Sequence, residues 1–383
     1  MNLKSFSCAA LGLLVLSVGS ADAQKKATSL KDAYKDAFKI GAAISSFDIS
    51  SRNPKSIELI TSQFNAISPG NELKPESLHP KADVWAWDRA DAYVEFGQKN
   101  HLWTLGHTLC WHNQTPDHFF FKENGEYKSH DELVETLRSY IETVCTHFGN
   151  KVNAWDVVNE IIGEYGEYRE KGWVKALGNG EEVVKLAFKY ADMYCPKEVE
   201  LYYNDFNVWR PAHLEGIIKM VKMLKAEGLR IDGVGIQAHW GLNYPKTEYV
   251  EDAINKLAAL GVKVLITEID VDVLPLTKEG QIIGHAMEEA QFQLEEFKEF
   301  FDPYRDGLPA EVEQQLAERY AELFRIFYSH RDVIDRVTFW GTHDGTSWKN
   351  GYPIPRRTNY PLLWNRDYTP HQAYYNVLAI PGK

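Results

Sequence analysis

Two hydrophobic periods alternate along the chain. Short runs of apolar, β-branched and aromatic residues cover 39–43, 64–68, 102–107, 154–160, 199–203, 232–236, 262–268 and 336–340. Between them, apolar positions recur at helical spacing over 54–63, 88–99, 129–148, 181–194, 211–227, 247–260 and 310–329, after a helical lead-in over 25–39. Asp88 is placed as an N-cap, and Pro211 takes an early helical position that tolerates its missing N–H. The acidic stretch 277–305 reads as an extended loop with helical character. Strands alternating with helices imply a parallel sheet, and eight of them imply a closed (β/α)8 TIM barrel, an α/β fold in one domain.

Polar residues gather just after the strands, at the C-terminal ends where the active site of such a barrel sits. Two runs end in a glutamate: Trp155-Asp156-Val157-Val158-Asn159-Glu160 and Leu265-Ile266-Thr267-Glu268. Simple alternation puts Trp155, Val157 and Asn159 on one face and turns Glu160 to the other. Desolvation raises a carboxyl pKa, so a glutamate at the end of a buried strand can keep the proton that a general acid needs. Each glutamate alone reads as a loop residue beside a strand end. The pair, amid many tryptophans, points to glycoside hydrolysis, with Glu160 protonating the leaving oxygen and Glu268 attacking the anomeric carbon. Gln237 and His239 are two apart and share a face, as do Glu268 and Asp270. A neutral His239 donating to Glu268 and held by Asp270 would keep the nucleophile ionised; the plainer alternative is a core histidine beside an unrelated aspartate.

Asn71, Lys74 and Gln114 are hydrogen-bonding groups suited to sugar hydroxyls, although each alone reads as a solvated loop residue. Trp111, Trp340 and Trp348 suit stacking on sugar rings, against core packing as the bland reading. His107, His112 and His118 form no compact metal-binding motif, so neither a metal nor a cofactor is expected.

Composition narrows the picture. The 383 residues are 44% hydrophobic and 25% charged, ample for a large core. Aromatics reach 13%, with 11 Trp and 20 Tyr, a surplus that fits a surface stacking on sugar rings. A net charge of −12 argues against a nucleic-acid partner. Residues 1–23 read as a secretion signal, with Lys4 in the n-region, an apolar core and an Ala21-Asp22-Ala23 cleavage site. The mature protein is then 24–383, secreted or periplasmic, free of the membrane and monomeric. Cys8 leaves with the signal. Cys110, Cys145 and Cys195 allow one disulfide at most and read as three reduced, buried thiols.

Several motifs, in order, resemble glycoside hydrolase family 10, the endo-β-1,4-xylanases. They are Asn71-Glu72-Leu73-Lys74, Gly106-His107-Thr108-Leu109-Cys110-Trp111-His112-Asn113-Gln114 and Trp155-Asp156-Val157-Val158-Asn159-Glu160. Leu201-Tyr202-Tyr203-Asn204-Asp205, Gln237-Ala238-His239, Thr267-Glu268-Ile269-Asp270, Phe339-Trp340-Gly341, Ser347-Trp348 and Arg357-Thr358-Asn359-Tyr360-Pro361-Leu362-Leu363 follow. The resemblance spans about 42–379. It implies internal cleavage of xylan or xylo-oligosaccharides by retaining double displacement through a covalent glycosyl-enzyme, with Glu160 as acid/base and Glu268 as nucleophile.

It also implies that Asn159 reaches the sugar 2-hydroxyl and that Lys74, His107, Trp111 and Gln114 line the glycone side, with Asn71 and Tyr203 among the sugar-binding residues. Gln237 and His239 would lie near the nucleophile, with Trp340 and Trp348 over the cleft. Three positions depart from the pattern: Gly70 where many members carry Glu, Ala238 for a commoner Gly or Ser, and His118 for a usual Trp. The first puts tight binding at the second glycone subsite in doubt. The competing readings are a retaining β-1,4-glycosidase of other specificity, acting on glucan or short xylo-oligosaccharides, and a non-catalytic carbohydrate-binding barrel.

Overall fold

The structure is a computed structural model that describes residues 28–274, 302–352 and 354–382. Residues 1–23, expected to be a secretion signal, and residues 277–301 of the acidic stretch lie outside these. In chain order the elements are α1 Leu30–Ala33, β1 Lys39–Ile44, α2 Pro54–Gln63, β2 Ala66–Pro69, α3 Pro75–Leu78, α4 Asp88–Lys99 and β3 Trp103–Cys110. Next come α5 His130–Phe148, β4 Ala154–Asn159, α6 Gly172–Leu177, α7 Gly180–Tyr194, β5 Glu200–Asp205, α8 Pro211–Ala226 and β6 Gly233–Ile236. The last are β7 His239–Gly241, α9 Thr247–Ala258, β8 Lys263–Asp272, α10 Ala310–Ser329, β9 Ile334–Phe339 and α11 Gln372–Leu378.

Parallel pairing runs β6-β5-β4-β3-β2-β1-β9-β8, and β8 pairs back onto β6 at Lys263 and Gly233 to close a ring of eight. The barrel is the expected one. The addition is β7, which pairs with β8 beyond the ring at His239 and Asp270. It continues the course of β6 after a break at Ala238, whose φ of +63° is left-handed. Glycine takes that conformation freely, whereas an L side chain there costs roughly 1–2 kcal/mol.

The helices bury their apolar faces against the outside of the barrel in one continuous core. A second, small cluster of Leu105, Ala154, Tyr202 and Leu265 fills the inside. Helix starts are set by local chemistry. Ser129 and Glu132 form a reciprocal capping box at α5, which satisfies two otherwise orphaned donors. Asp88 is not the expected cap: it is the first residue of α4, and Trp87 precedes it without a side-chain cap. The lead-in helix shrinks to α1, since the chain enters β1 at Lys39.

Face assignment on β4 also differs from simple alternation. The register slips between Asp156 and Val158 against β5. Trp155, Val157 and Val158 all join the outer core, and Asn159 turns inward. A bulge of this kind re-aims the side chains beyond it. β8 slips likewise between Ile266 and Ile269 against β9, which brings Thr267 and Glu268 both within reach of Asn204.

The three thiols are not all reduced. α5 and α7 pack side by side and bring the Cα atoms of Cys145 and Cys195 to 5.0 Å, where the two form a disulfide. Cys110 remains a buried free thiol. Among the described residues no helix is long and apolar enough to cross a membrane.

Candidate active site

Glu268 lies in β8, two residues beyond the last one paired with β6, and is buried. Its Oε1 accepts a hydrogen bond from Asn204 Nδ2 at 2.8 Å, and its Oε2 faces His239 Nε2 at 3.2 Å. The other ring nitrogen of His239 faces Asp270 Oδ2 at 3.0 Å, and Trp348 Nε1 donates to that same oxygen at 2.8 Å. An imidazole with a carboxylate at each nitrogen donates to both only when protonated. Burial works against that charge, but Asp270 and then Glu268 outweigh it and raise the His239 pKa to about 9. This favours the His239 cation near neutral pH over the neutral donor expected, because both carboxylates lie within hydrogen-bond reach of the ring. Burial pushes the Glu268 pKa up, yet the His239 hydrogen bond, the nearby His107 and His239 rings and Asn204 bring it net below the usual glutamate value.

Glu160 follows β4 with a left-handed backbone, φ +56°. Its N–H donates to the Asn204 carbonyl at 2.9 Å. Its carboxyl oxygens accept from Gln237 Nε2 at 2.9 Å and Trp111 Nε1 at 3.0 Å. Both donors are neutral. Burial raises the Glu160 pKa, Gln237 and Trp111 hold it back, and the carboxylates of Asp205 and Glu268 add to the rise. One glutamate is thus biased toward its acid form and the other toward its anion.

Asn204 joins the two halves. Its amide nitrogen also donates to Asn159 Oδ1 at 2.9 Å, while its oxygen takes the Thr267 hydroxyl at 2.6 Å. Asn159 Nδ2 is buried and, among the described residues, has no hydrogen-bond partner. On the side of β2 and β3, Lys74 Nζ donates to Asn71 Oδ1 and Gln114 Oε1, both at 2.8 Å, and lies 5.0 Å from the Trp111 ring. Burial lowers the Lys74 pKa, and the strongest opposing charges are Glu268 and Glu160, so the ammonium lies in the field of both carboxylates. His107 Nδ1 is held by Asp156 Oδ2 at 2.8 Å, and its ring lies 5.7 Å from Trp340 and 6.3 Å from Trp111. Trp348 packs 4.8 Å from His239 and stacks on the exposed Tyr352 at 5.0 Å. Trp111, Trp340 and Trp348 are all half-buried, as a cleft wall requires.

Of the residues expected from sequence, Tyr203 alone falls elsewhere. It is fully buried in the outer core, with its hydroxyl bonded to Asp205 and to the Ile162 N–H. Alternation along β5 explains this: Tyr202 and Asn204 point into the barrel, while Tyr203 points out to the helices. Asn204 has the bridging role that sequence reasoning did not assign, and its position as a polar strand-end residue was the available signal. Arg169, bonded to the Glu160 carbonyl at 3.1 Å, carried no such signal.

Glu72 is a structural residue, accepting from the Ser46 and Asn71 N–H groups at 2.8 and 3.0 Å and from Arg89 at 3.2 Å. Gly70 adds no side chain beside it. His118 packs at 4.8 Å against both His79 and Phe119. Among the described residues no group of three or more His, Cys, Asp or Glu is arranged to hold a metal.

The model of glycosyl hydrolase family 10 matches residues 29–380. Endo-1,4-beta-xylanase A of Xylanibacter ruminicola is 38% identical over 370 residues, covering 97% of each chain. Endo-1,4-beta-xylanase A of Caldicellulosiruptor saccharolyticus is 35% identical over 356 residues, 92% of this chain and 96% of that one. Among solved structures, an endoxylanase of this family retrieved from a sugarcane soil metagenome superposes with a TM-score of 0.85 at 38% identity, over 93% of this chain and 100% of that one. Xylanase B from Clostridium stercorarium F9 gives 0.81 at 31% identity, over 91% and 99%. The family match spans a range that includes both glutamates, the relatives cover more than nine-tenths of the chain, and the chain is therefore a glycoside hydrolase that belongs to glycosyl hydrolase family 10.

Proposed function

We propose that the protein is a secreted, retaining endo-β-1,4-xylanase. The observation that carries the mechanism is the opposite protonation bias of two buried glutamates in one site, Glu160 raised and Glu268 lowered. Protonated Glu160 donates to the glycosidic oxygen as the bond breaks. Ionised Glu268, steadied by the His239 cation and Asn204, attacks the anomeric carbon and forms the glycosyl-enzyme. Glu160, now a carboxylate, takes a proton from the water that releases the sugar.

Asn159 offers its unpartnered Nδ2 to the 2-hydroxyl of the reacting sugar. Lys74, Asn71 and Gln114 present a preformed polar cluster to the next sugar on the glycone side, and Trp111, Trp340 and Trp348 supply apolar walls. Xylose has no exocyclic hydroxymethyl group, so a tryptophan lid close over that ring position rejects glucose by steric clash. The names of the relatives support xylan as the substrate class. Export is supported by the signal pattern of residues 1–23 and by a structural disulfide, which persists in an oxidising compartment. We infer a monomer that needs no cofactor.

The test is an early-time product profile on branched xylan, linear xylo-oligosaccharides and carboxymethyl cellulose, with the anomeric configuration of new ends followed by NMR. A ladder of xylo-oligosaccharides with β-configured new ends is expected. New ends of α configuration overturn retention. Release of only xylose or xylobiose from chain ends overturns the endo mode, and cleavage of glucan in place of xylan overturns the specificity.

A further inference from the structure

We propose that Arg169 is a positioning residue for the acid/base carboxyl: it locks the left-handed backbone of Glu160 and so aims that carboxyl at the leaving oxygen. The role rests on the retaining mechanism above. A left-handed backbone at a non-glycine residue persists only where its surroundings over-determine it. On one side of Glu160 the constraint is the N–H bond to the Asn204 carbonyl at 2.9 Å. On the other side, three successive carbonyls converge on a single residue. Arg169 Nε donates to the Glu160 carbonyl at 3.1 Å, its backbone N–H to that of Ile161 at 2.8 Å, and its Nη2 to that of Ile162 at 2.9 Å.

The loop is shaped to deliver that residue. It leaves Glu160, pairs Ile162 with Tyr168 across an antiparallel bridge, and turns where the Gly163 N–H meets the Glu167 carbonyl at 2.6 Å. At the tip, Gly166 has φ +89°, and a Cβ there would come within 2.6 Å of the Ala212 carbonyl at the start of α8, so the turn is pressed onto that helix. The return strand then places Arg169 beneath the acid/base residue. Its guanidinium carbon lies 5.2 Å from the Phe206 ring, which fixes the plane of the fork. Among the described residues Arg169 pairs with no carboxylate; its side-chain donors go to backbone carbonyls. A rigid planar fork can hold two carbonyls at once, whereas a lysine ammonium on a flexible stem cannot hold them in that geometry.

A residue that aims the acid leaves a kinetic mark that a purely structural residue does not. Proton donation matters when the leaving group is poor and hardly at all when it is good. The test compares Arg169→Met and Arg169→Lys with the wild type on phenyl and 2,4-dinitrophenyl β-xylobiosides. In Arg169→Met, kcat/KM is expected to fall at least about 30-fold on the phenyl glycoside, a partial loss of the roughly 10²–10⁴-fold that general acid catalysis supplies, and less than about 3-fold on the dinitrophenyl glycoside. On the latter, kcat falls because water attack needs the same carboxyl as base. Sodium azide restores it by attacking the anomeric carbon of the glycosyl-enzyme, expelling the Glu268 carboxylate with no proton to remove and yielding β-xylobiosyl azide.

Arg169→Lys is expected to show the same pattern at smaller amplitude, and it carries the test if the methionine variant does not fold. Equal losses on both glycosides without azide rescue, or no loss on either, overturn the positioning role while leaving the xylanase assignment intact. A wild type inactive on both glycosides overturns the retaining xylanase itself.

Discussion

Glu160 and Glu268 are the same residue type, both buried and both touching the same asparagine backbone or side chain, yet they are biased toward opposite charge states. The difference lies in what donates to them. Glu160 has two neutral donors, Gln237 and Trp111, and the carboxylates of Asp205 and Glu268 add to the rise that burial causes. Glu268 has one neutral donor, Asn204, and one cationic donor, His239, whose charge is secured by Asp270. Desolvation acts on both glutamates in the same direction; on Glu268 the His239 hydrogen bond, with the His107 and His239 rings and Asn204, reverses its outcome. Acid and nucleophile are therefore told apart by their donors, of which His239, held by Asp270, acts most strongly on Glu268.

The largest break in this comparison is to remove one member. Glu268→Ala is expected to lower kcat on xylan by at least about 10⁴-fold, the scale on which removing a nucleophile acts. The fold should survive, because Asn204 keeps its bond to Asn159 and Thr267 keeps its own to Asn204. Initial rates of reducing-end release, with circular dichroism as the folding control, check both halves. Substantial residual turnover would mean that another group is the nucleophile.

That the barrel and both glutamates were legible in the sequence follows from physics that acts locally. Period-2 runs and helical stripes record which faces are buried, and the polar break at each strand end marks the C-terminal rim. What was not legible depends on register and on distances between segments. The slip between Asp156 and Val158 cannot be seen in a run of apolar residues, so Asn159 was assigned to the face of Trp155 and is instead turned inward. Tyr203 stands next to Asn204, which faces the site, but alternation on β5 sends it to the helices. The state of Cys145 and Cys195 depends on how α5 packs on α7. Sequence placed Glu268 and Asp270 about His239, but the 3.2 and 3.0 Å separations that favour its cation are set by how the segments pack.

A milder break removes the cation and keeps the nucleophile. His239→Asn takes away the hydrogen bond and charge that hold Glu268 down, so the Glu268 pKa rises and the acidic limb of the kcat/KM profile moves to higher pH. At the wild-type optimum the rate is expected to fall roughly 10–100-fold, the equivalent of one charge-assisted hydrogen bond. Stability carries a second mark. The folded-state pKa of His239, about 9, lies above its ordinary 6.5, so its ion pairs stabilise the native state fully below pH 6.5 and that contribution is lost as pH rises through 9. The Tm difference between wild type and His239→Asn should thus narrow on moving from pH 6 to pH 10. An unmoved acidic limb would mean that His239 does not control Glu268.

The smallest expected effect tests the other side of the comparison. Gln237 donates a neutral hydrogen bond to Glu160 and so favours its ionised form, opposing burial. In Gln237→Met that bond is gone, the Glu160 pKa rises further, and the basic limb of the profile moves to higher pH while the acidic limb stays in place. The rate falls roughly 3–10-fold, since one donor is lost and Trp111 still holds the carboxyl. His239 and Gln237 should therefore move opposite limbs, each leaving the other still. The alternative is that both limbs move in either variant. The glutamates would then titrate as one coupled pair through Asn204 and Asn159, and the two pKa values would belong to the pair and not to separate residues. Separate movement instead assigns each limb to one carboxyl and ties each carboxyl to its own donor.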